Sequence, residues 1–246
     1  MTTTLTALSI GGAHNFRDLG GIPLRDGGRT APGRIYRSCA LVGLAPLQQA
    51  KVEALGLTCA LDLRSEAESA RNPGGFHGLA SRISVPLFAT LAPAAEVLAE
   101  APGARLVLRY IGALTDAQPA FAEAMTHLAR APDGPIAFNC TVGKDRTGLI
   151  AALLLDLTGA DRAAIAANYA ETEDFAPGLL ARLASEGLAA GADPAIMDRL
   201  LRAEAQTMHK VLSFVDDRFG GSRSFLSQAG VSPADLDRLA GRVRGT

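Results

Sequence analysis

The chain has 246 residues, 48% of them hydrophobic and 20% charged, with 26 glycines, which excludes a disordered or fibrous protein. Its length corresponds to about 1.6 average domains, and it reads as one domain over residues 1–246. A formal net charge of −1 gives no broad electrostatic attraction for nucleic acid, so any affinity for anions has to be local.

In chain order, the first ten residues, MTTTLTALSI, lack the basic start and apolar core of a signal peptide, and no apolar run is long enough to span a bilayer. The expectation is a cytoplasmic protein with no integral membrane segment, export by a route that leaves no such signal staying open. Arg17 and Asp18 read as a structural ion pair, with support of a catalytic loop as the alternative. Ile22-Pro23-Leu24 and Arg29-Thr30 flank Arg25-Asp26-Gly27-Gly28 as a hairpin. Residues 35–39 form a strand that places Cys39 in the core. Residues 45–55 read as a helix stopped by Gly56, followed by a strand at 57–63. In open parallel sheets ligands gather at the carboxyl ends of strands. Asp62 and Arg64 are therefore candidate site residues, Asp62 as a reserve proton donor against its plainer reading as a hydrogen-bonded strand end. Glu66 and Glu68 read as a solvated face.

A further strand is expected at 82–86. The Ala- and Pro-rich stretch 87–104 is read either as a lid inserted over the site or as a surface helix and loop. Helices follow at 106–111 and 119–128. Residues 135–138 are a short buried strand launched from Asp133-Gly134, and from Thr147 the apolar residues Leu149, Ile150, Leu153, Leu154 and Leu157 recur at helical spacing. Asp161 caps a helix at 162–171. Pro194 begins a long amphipathic helix with Met197, Leu200, Leu201, Met208, Val211, Leu212 and Val215 on one side, ended by Gly220-Gly221, and Ser232-Pro233-Ala234-Asp235 opens the last helix. Together these predict an α/β fold with a central, mostly parallel sheet flanked by helices and a helical C-terminal region over 161–246.

The chemistry concentrates between the strand at 135–138 and the helix after it. There Cys140 is followed by five residues and then Arg146. A loop in that position points backbone N–H groups into one concavity, to which the helix adds its partial positive charge. Such surroundings lower a thiol pKa from about 8.5 to roughly 3.5–7.5 and make Cys140 a thiolate. Arg146 offers a planar fork for two phosphate oxygens, and Lys144 adds a point charge. Gly143 permits a backbone closed to other residues. Asp145 would repel a phosphate unless protonated, and then it can serve as a proton donor. Thr147 offers a hydroxyl to the thiolate or caps the helix. The fitting reaction is phosphoryl transfer to sulfur followed by hydrolysis. A nucleotide-binding loop of the G-x-x-x-x-G-K-[ST] type fails, because Phe138 replaces its first glycine and Asp145 its hydroxyl residue. The three cysteines, Cys39, Cys59 and Cys140, lack paired spacing, which argues for a reducing compartment. The four histidines are scattered, so neither a metal nor another cofactor is expected.

The segment C-T-V-G-K-D-R-T-G resembles the signature loop of cysteine-dependent protein tyrosine phosphatases. Its G-K-D-R version resembles a bacterial subgroup with tyrosine, dual-specificity and sometimes phosphoinositide phosphatase activity. Asn15-Phe16-Arg17-Asp18-Leu19-Gly20-Gly21, Ile35-Tyr36-Arg37-Ser38, Leu61-Asp62-Leu63-Arg64, Tyr169 and Thr172 are similar to the subgroup's other marks, in the same order; these segments also argue against a sulfur-transferring, rhodanese-like loop. The resemblance implies Cys140 as nucleophile and Asp145 as general acid and base. It implies Arg146, with Thr141, Val142, Gly143, Lys144 and Thr147, as the phosphate site. The substrate it implies is a phosphorylated protein carrying phosphotyrosine, with phosphoinositides or phosphoserine and phosphothreonine as the alternative. A phosphate-binding module without turnover is the non-enzymatic rival, supported by Asn139, which stands where the family usually has histidine.

Overall fold

Three short strands, each apolar at its start, polar at its end and fully buried, form the middle of a five-stranded sheet. The structure, a computed structural model, describes residues 10, 12–74, 76, 81–87 and 106–246. Across the sheet lie β1 (Arg17–Asp18), β2 (Ile35–Ser38), β5 (Ile136–Asn139), β3 (Cys59–Asp62) and β4 (Arg82–Ser84). β5 pairs in parallel with both β2 and β3, β4 continues in parallel, and only β1 is antiparallel. The mostly parallel sheet expected from sequence is therefore present. Every residue of β2, β3 and β5 is buried, as strands covered on both faces must be.

The two-residue alternation of β5 divides the core. Ile136 and Phe138 face the larger apolar cluster, whereas Ala137 joins Tyr36 and Ala60 in a smaller one. The larger cluster is completed by helices α3 (Leu106–Asp116), α4 (Gln118–Arg130) and α5 (Asp145–Leu157) together with parts of the C-terminal helices. α5 is buried continuously from Thr147 to Asp156, the mark of a helix enclosed on all sides. The smaller cluster includes Val52 of α1 (Pro46–Glu53) and Leu179 of α8 (Pro177–Ala189). The remaining helices are α2 (Glu66–Arg71), α6 (Arg162–Ala170), α7 (Thr172–Phe175), α9 (Pro194–Leu201), α10 (Ala205–Phe219), α11 (Ser222–Ala229) and α12 (Pro233–Arg244). The helical C-terminal region is thus observed. Its expected caps are in place: Asp161 accepts the Ala164 N–H at 2.9 Å and Ser232 accepts that of Asp235 at 3.1 Å.

Several expectations are corrected. The single helix from Pro194 to Gly220 is two, α9 and α10, separated at residues 202–204. The interruption has a cause: the Lys144 ammonium takes the carbonyls of Leu200 and Arg202, and the Glu173 carboxylate accepts the Ala203 N–H at 2.6 Å. Those groups are no longer available to continue a helix. The hairpin expected at residues 22–30 is present in a short form, with one antiparallel bridge, Pro23 to Arg29, and with Leu24 N–H donating to the Gly28 carbonyl and Thr30 N–H to that of Ile22, both at 2.9 Å. Arg17 and Asp18 do not pair with each other. Asp18 instead accepts the N–H groups of Gly20 and Gly33 at 2.8 and 2.6 Å. Glu66 is exposed, as expected, whereas Glu68 forms a capping box with Ser65 at the start of a short helix. The proposed lid at 87–104 lies, beyond Leu87, outside the described residues.

Leu154 is completely buried in α5. Leu154→Ala should cost about 2–5 kcal/mol, read as a lower urea midpoint with unchanged slope; a loss under about 1 kcal/mol would contradict the placement of α5 at the centre of the core.

Candidate active site

After Asn139 the chain leaves β5, turns through residues 140–144 and enters α5 at Asp145. Gly143 makes the turn possible. Its φ is 75°, and a Cβ there would lie 2.4 Å from the Ser38 carbonyl oxygen. Three successive carbonyls of the loop are tied from behind. Ala40 N–H donates to Thr141 at 3.3 Å, the Asn15 amide to Val142 at 3.0 Å and the Arg37 guanidinium to Gly143 at 2.6 Å. In a trans peptide the N–H points opposite to the carbonyl. The N–H groups of Val142, Gly143 and Lys144 are thereby turned to the other side, and none has a backbone partner among the described residues. N–H groups turned to one side of a loop in this way are able to hold an anion.

The ties are themselves held. Arg37 also donates to the Asn168 side-chain oxygen at 2.8 Å, and Arg17 donates to the Asn168 carbonyl at 2.5 Å and to the Asn15 side-chain oxygen. Glu171 lies 3.6 Å from Arg17. Both guanidiniums are buried. Burial pulls Arg37 down to about 10, opposed by charges that include Cys140 and Glu171, and pulls Arg17 well below its usual range. Arg17 is thus a support of the loop, the alternative reading of the sequence. Asn15, Arg37 and Asn168 were missed as site residues, although Asn15 and Arg37 stand inside two of the quoted motifs.

Cys140 sits at the base of the loop, 2% exposed. Arg146 lies on the first turn of α5, where its two terminal nitrogens donate to the two oxygens of Glu68 at 2.6 and 2.7 Å. Thr141 completes this corner, donating to Glu68 at 2.5 Å and accepting from Arg146 at 3.3 Å. Burial disfavours the Arg146 charge, but Glu68, Cys140 and Asp145 outweigh it and hold the guanidinium firmly protonated. Glu68, expected on a solvated face, is thus a correction: it is the carboxylate that aims Arg146.

Asp145 accepts a hydrogen bond from the Tyr110 hydroxyl at 2.6 Å, and Tyr110 lies 2.8 Å from the Tyr169 hydroxyl. Because Tyr110 spends its proton on Asp145, Tyr169 is the donor in that second contact. Burial pushes the Asp145 carboxyl up. The charge of Lys144, the Tyr110 hydroxyl and the charges of Arg109 and Arg146 overcome this, so protein groups alone hold it below its usual range. The protonated state expected from sequence therefore needs a further negative charge nearby. Lys144 is buried. Its ammonium engages the carbonyls of Leu200 and Arg202, the latter at 3.1 Å, and lies 3.5 Å from Asp145; it braces α9 against the loop instead of facing the concavity. Thr147 is buried with its hydroxyl unpartnered among the described residues. It therefore does not cap the helix.

Asp62 and Arg64 pair with each other at 2.7 Å, and Asp62 also receives Arg82 at 2.9 Å and the Asn139 amide at 3.4 Å. Burial raises the Asp62 carboxyl, yet its arginine partners bring it below its usual value, which fits the strand-end reading rather than a proton donor. Two cavities border the loop, one of about 480 Å³ touching Thr141, Glu68 and Arg64 and one of about 260 Å³ touching Val142 and Asp145. Another of about 770 Å³, by Gly134 and Arg242, touches no residue of the loop. Among the described residues no cluster of side chains has the composition of a metal site. The three cysteines are free, and burial pushes the Cys39 thiol up to about 11, so Cys39 is core, as expected.

Comparison with known sequences gives a consistent result. The description "tyrosine phosphatase family" belongs to the family profile that matches residues 8–244. A protein of Cupriavidus necator named as a tyrosine-protein phosphatase is 31% identical over 91% of this chain and 86% of its own length. The triple specificity protein phosphatase PtpB of Mycobacterium tuberculosis is 28% identical over 95% of this chain and 98% of its own length. A tyrosine-protein phosphatase of Nostoc commune is 35% identical over 54% of this chain and 47% of its own length.

The Glu68 carboxyl is held below its ordinary value of 4.5: burial raises it, and Arg146 and Thr141 more than compensate. A depressed acid contributes stability that is complete above the unfolded value and is lost as pH falls through the folded one. Wild type should therefore lose more stability than Glu68→Gln on acidification below about 4.5, measured by urea unfolding across that range; parallel curves for the two proteins would contradict the pair.

Proposed function

The chain belongs to the tyrosine phosphatase family and is a phosphatase of tyrosine or dual specificity, and on that premise we propose the roles its loop residues play. Cys140 attacks phosphorus as the thiolate. The N–H groups of Val142, Gly143 and Lys144 hold the non-bridging oxygens, together with Arg146, whose Nε–H has no partner among the described residues. Asp145 protonates the leaving oxygen as the P–O bond breaks and the S–P bond forms. A water molecule then attacks the phosphocysteine, Asp145 takes its proton, the S–P bond breaks and inorganic phosphate departs with the thiolate restored. The observation that carries this reading is the set of three loop carbonyls tied from behind, which prepares an oxyanion site before substrate arrives.

Asp145 needs a proton for the first step. A phosphate group bound in the loop brings negative charge close to it and raises its pKa, so proton retention is coupled to substrate binding. Tyr110 keeps the carboxyl oriented. The favoured substrate is phosphotyrosine in a protein. The phosphoinositide alternative rested on Lys144, whose ammonium is already committed to two carbonyls. The whole chain acts as one phosphatase domain in this reading, in a reducing, cytoplasmic setting supported by its three free cysteines. Among the described residues, no helix is long and apolar enough to cross a membrane.

Purified protein is expected to hydrolyse p-nitrophenyl phosphate without added metal. Cys140→Ser should abolish that activity, and turnover retained by this variant would remove the mechanism. Asp145→Asn should lose roughly 10²–10⁴-fold in kcat on phenyl phosphate and clearly less on p-nitrophenyl phosphate, whose leaving group needs less protonation. Equal losses on both esters would show that Asp145 is not the acid.

A further inference from the structure

The cavity of about 260 Å³ next to Asp145 is not explained by phosphate binding. Its walls are the half-buried or buried side chains of Leu180 and Leu183 from α8 and Met197, Leu200 and Leu201 from α9, and its loop side carries Val142 and Asp145. Arg109 of α3 lines it as well. The Nε of Arg109 is buried and unpartnered, and no ion pair engages this guanidinium among the described residues. Lys144 also borders the cavity, but its ammonium is spent on main-chain carbonyls. Arg109 is therefore the cation that the cavity offers to a ligand.

Position gives the cavity its role. If Asp145 donates the proton to the leaving oxygen, the leaving group must lie on the Asp145 side of the loop, which is where this cavity opens. An apolar wall with a single unpaired guanidinium is complementary to an apolar group that bears a negative charge. We propose that this cavity is the leaving-group subsite and that Arg109 makes it select phosphomonoesters whose leaving group is an apolar ring flanked by a carboxylate, in a protein a phosphotyrosine with an acidic neighbour. The assignment rests on the catalytic reading above. It adds a contact that acts through binding: a charge-assisted hydrogen bond shielded by leucines is worth about tenfold or more in affinity.

The test compares kcat/KM for phenyl phosphate and 3-carboxyphenyl phosphate in wild type, Arg109→Ala and Arg109→Lys, with melting temperatures recorded for all three. Wild type should prefer the carboxylated ester by about tenfold or more. Arg109→Ala should reduce that preference about tenfold, read as the ratio between the two esters so that any change at Asp145, on which the Arg109 charge acts, affects both alike, and Arg109→Lys should keep part of it. A preference unchanged in Arg109→Ala, or wild type showing none, overturns the subsite while leaving the phosphatase reading intact. Failure of wild type to hydrolyse either ester would instead overturn the catalytic reading, and the subsite with it.

Discussion

Three carbonyl groups pointing backwards are the constraint on which this site depends. A loop of five residues between a strand and a helix has no reason of its own to present its N–H groups to one point. Here Ala40, Asn15 and Arg37 bind the carbonyls of Thr141, Val142 and Gly143 in succession, and peptide planarity does the rest. The parallel pairing of β2 with β5 brings the first tie into place, since the chain after Ser38 runs beside the chain after Asn139. Gly143 then packs against the Ser38 carbonyl at a distance that no side chain tolerates. Fold and site are coupled through this contact.

The arrangement requires burying cations, which is unfavourable unless each is surrounded by acceptors. Arg37 and Arg17 meet that condition at their terminal nitrogens, with carbonyl and amide oxygens of Asn15, Gly143 and Asn168; the Nε of each has no hydrogen-bond partner among the described residues, and Glu171 supplies a negative charge near that of Arg17. Arg146 meets it with a carboxylate fork. The result is a set of guanidiniums around the Cys140 loop whose positions are fixed by the protein's own acceptors. Asp145 is the exception, the carboxylate to which the proposed mechanism assigns the proton transfers. Its hydrogen bond from Tyr110 keeps it in place, and its ionisation follows the sum of the charges around it.

How much of this the sequence reveals depends on distance along the chain. The strand, loop and helix around Cys140 are legible because six adjacent positions share one chemical purpose. The parallel sheet is legible because apolar runs alternate with helical periods. Glu68 was not legible: it stands in a charged stretch, and its partner Arg146 lies 78 residues away. Tyr110 looked like one more apolar position of a helix, and its bond to Asp145 spans 35 residues. The break between α9 and α10 was hidden for the same reason, because the side chains that divert its backbone groups, Lys144 and Glu173, belong to other elements. Local pattern located the loop around Cys140; long-range pairing defines what holds and orients it.

The most direct measurement is a crystal structure of the protein with orthovanadate. Vanadium should be bonded to Cys140 Sγ, its equatorial oxygens should accept hydrogen bonds from the N–H groups of Val142, Gly143 and Lys144 and from Arg146, and its apical oxygen should face Asp145. Vanadate bound elsewhere, or a loop whose carbonyls have left Asn15 and Arg37 to meet it, would contradict the account.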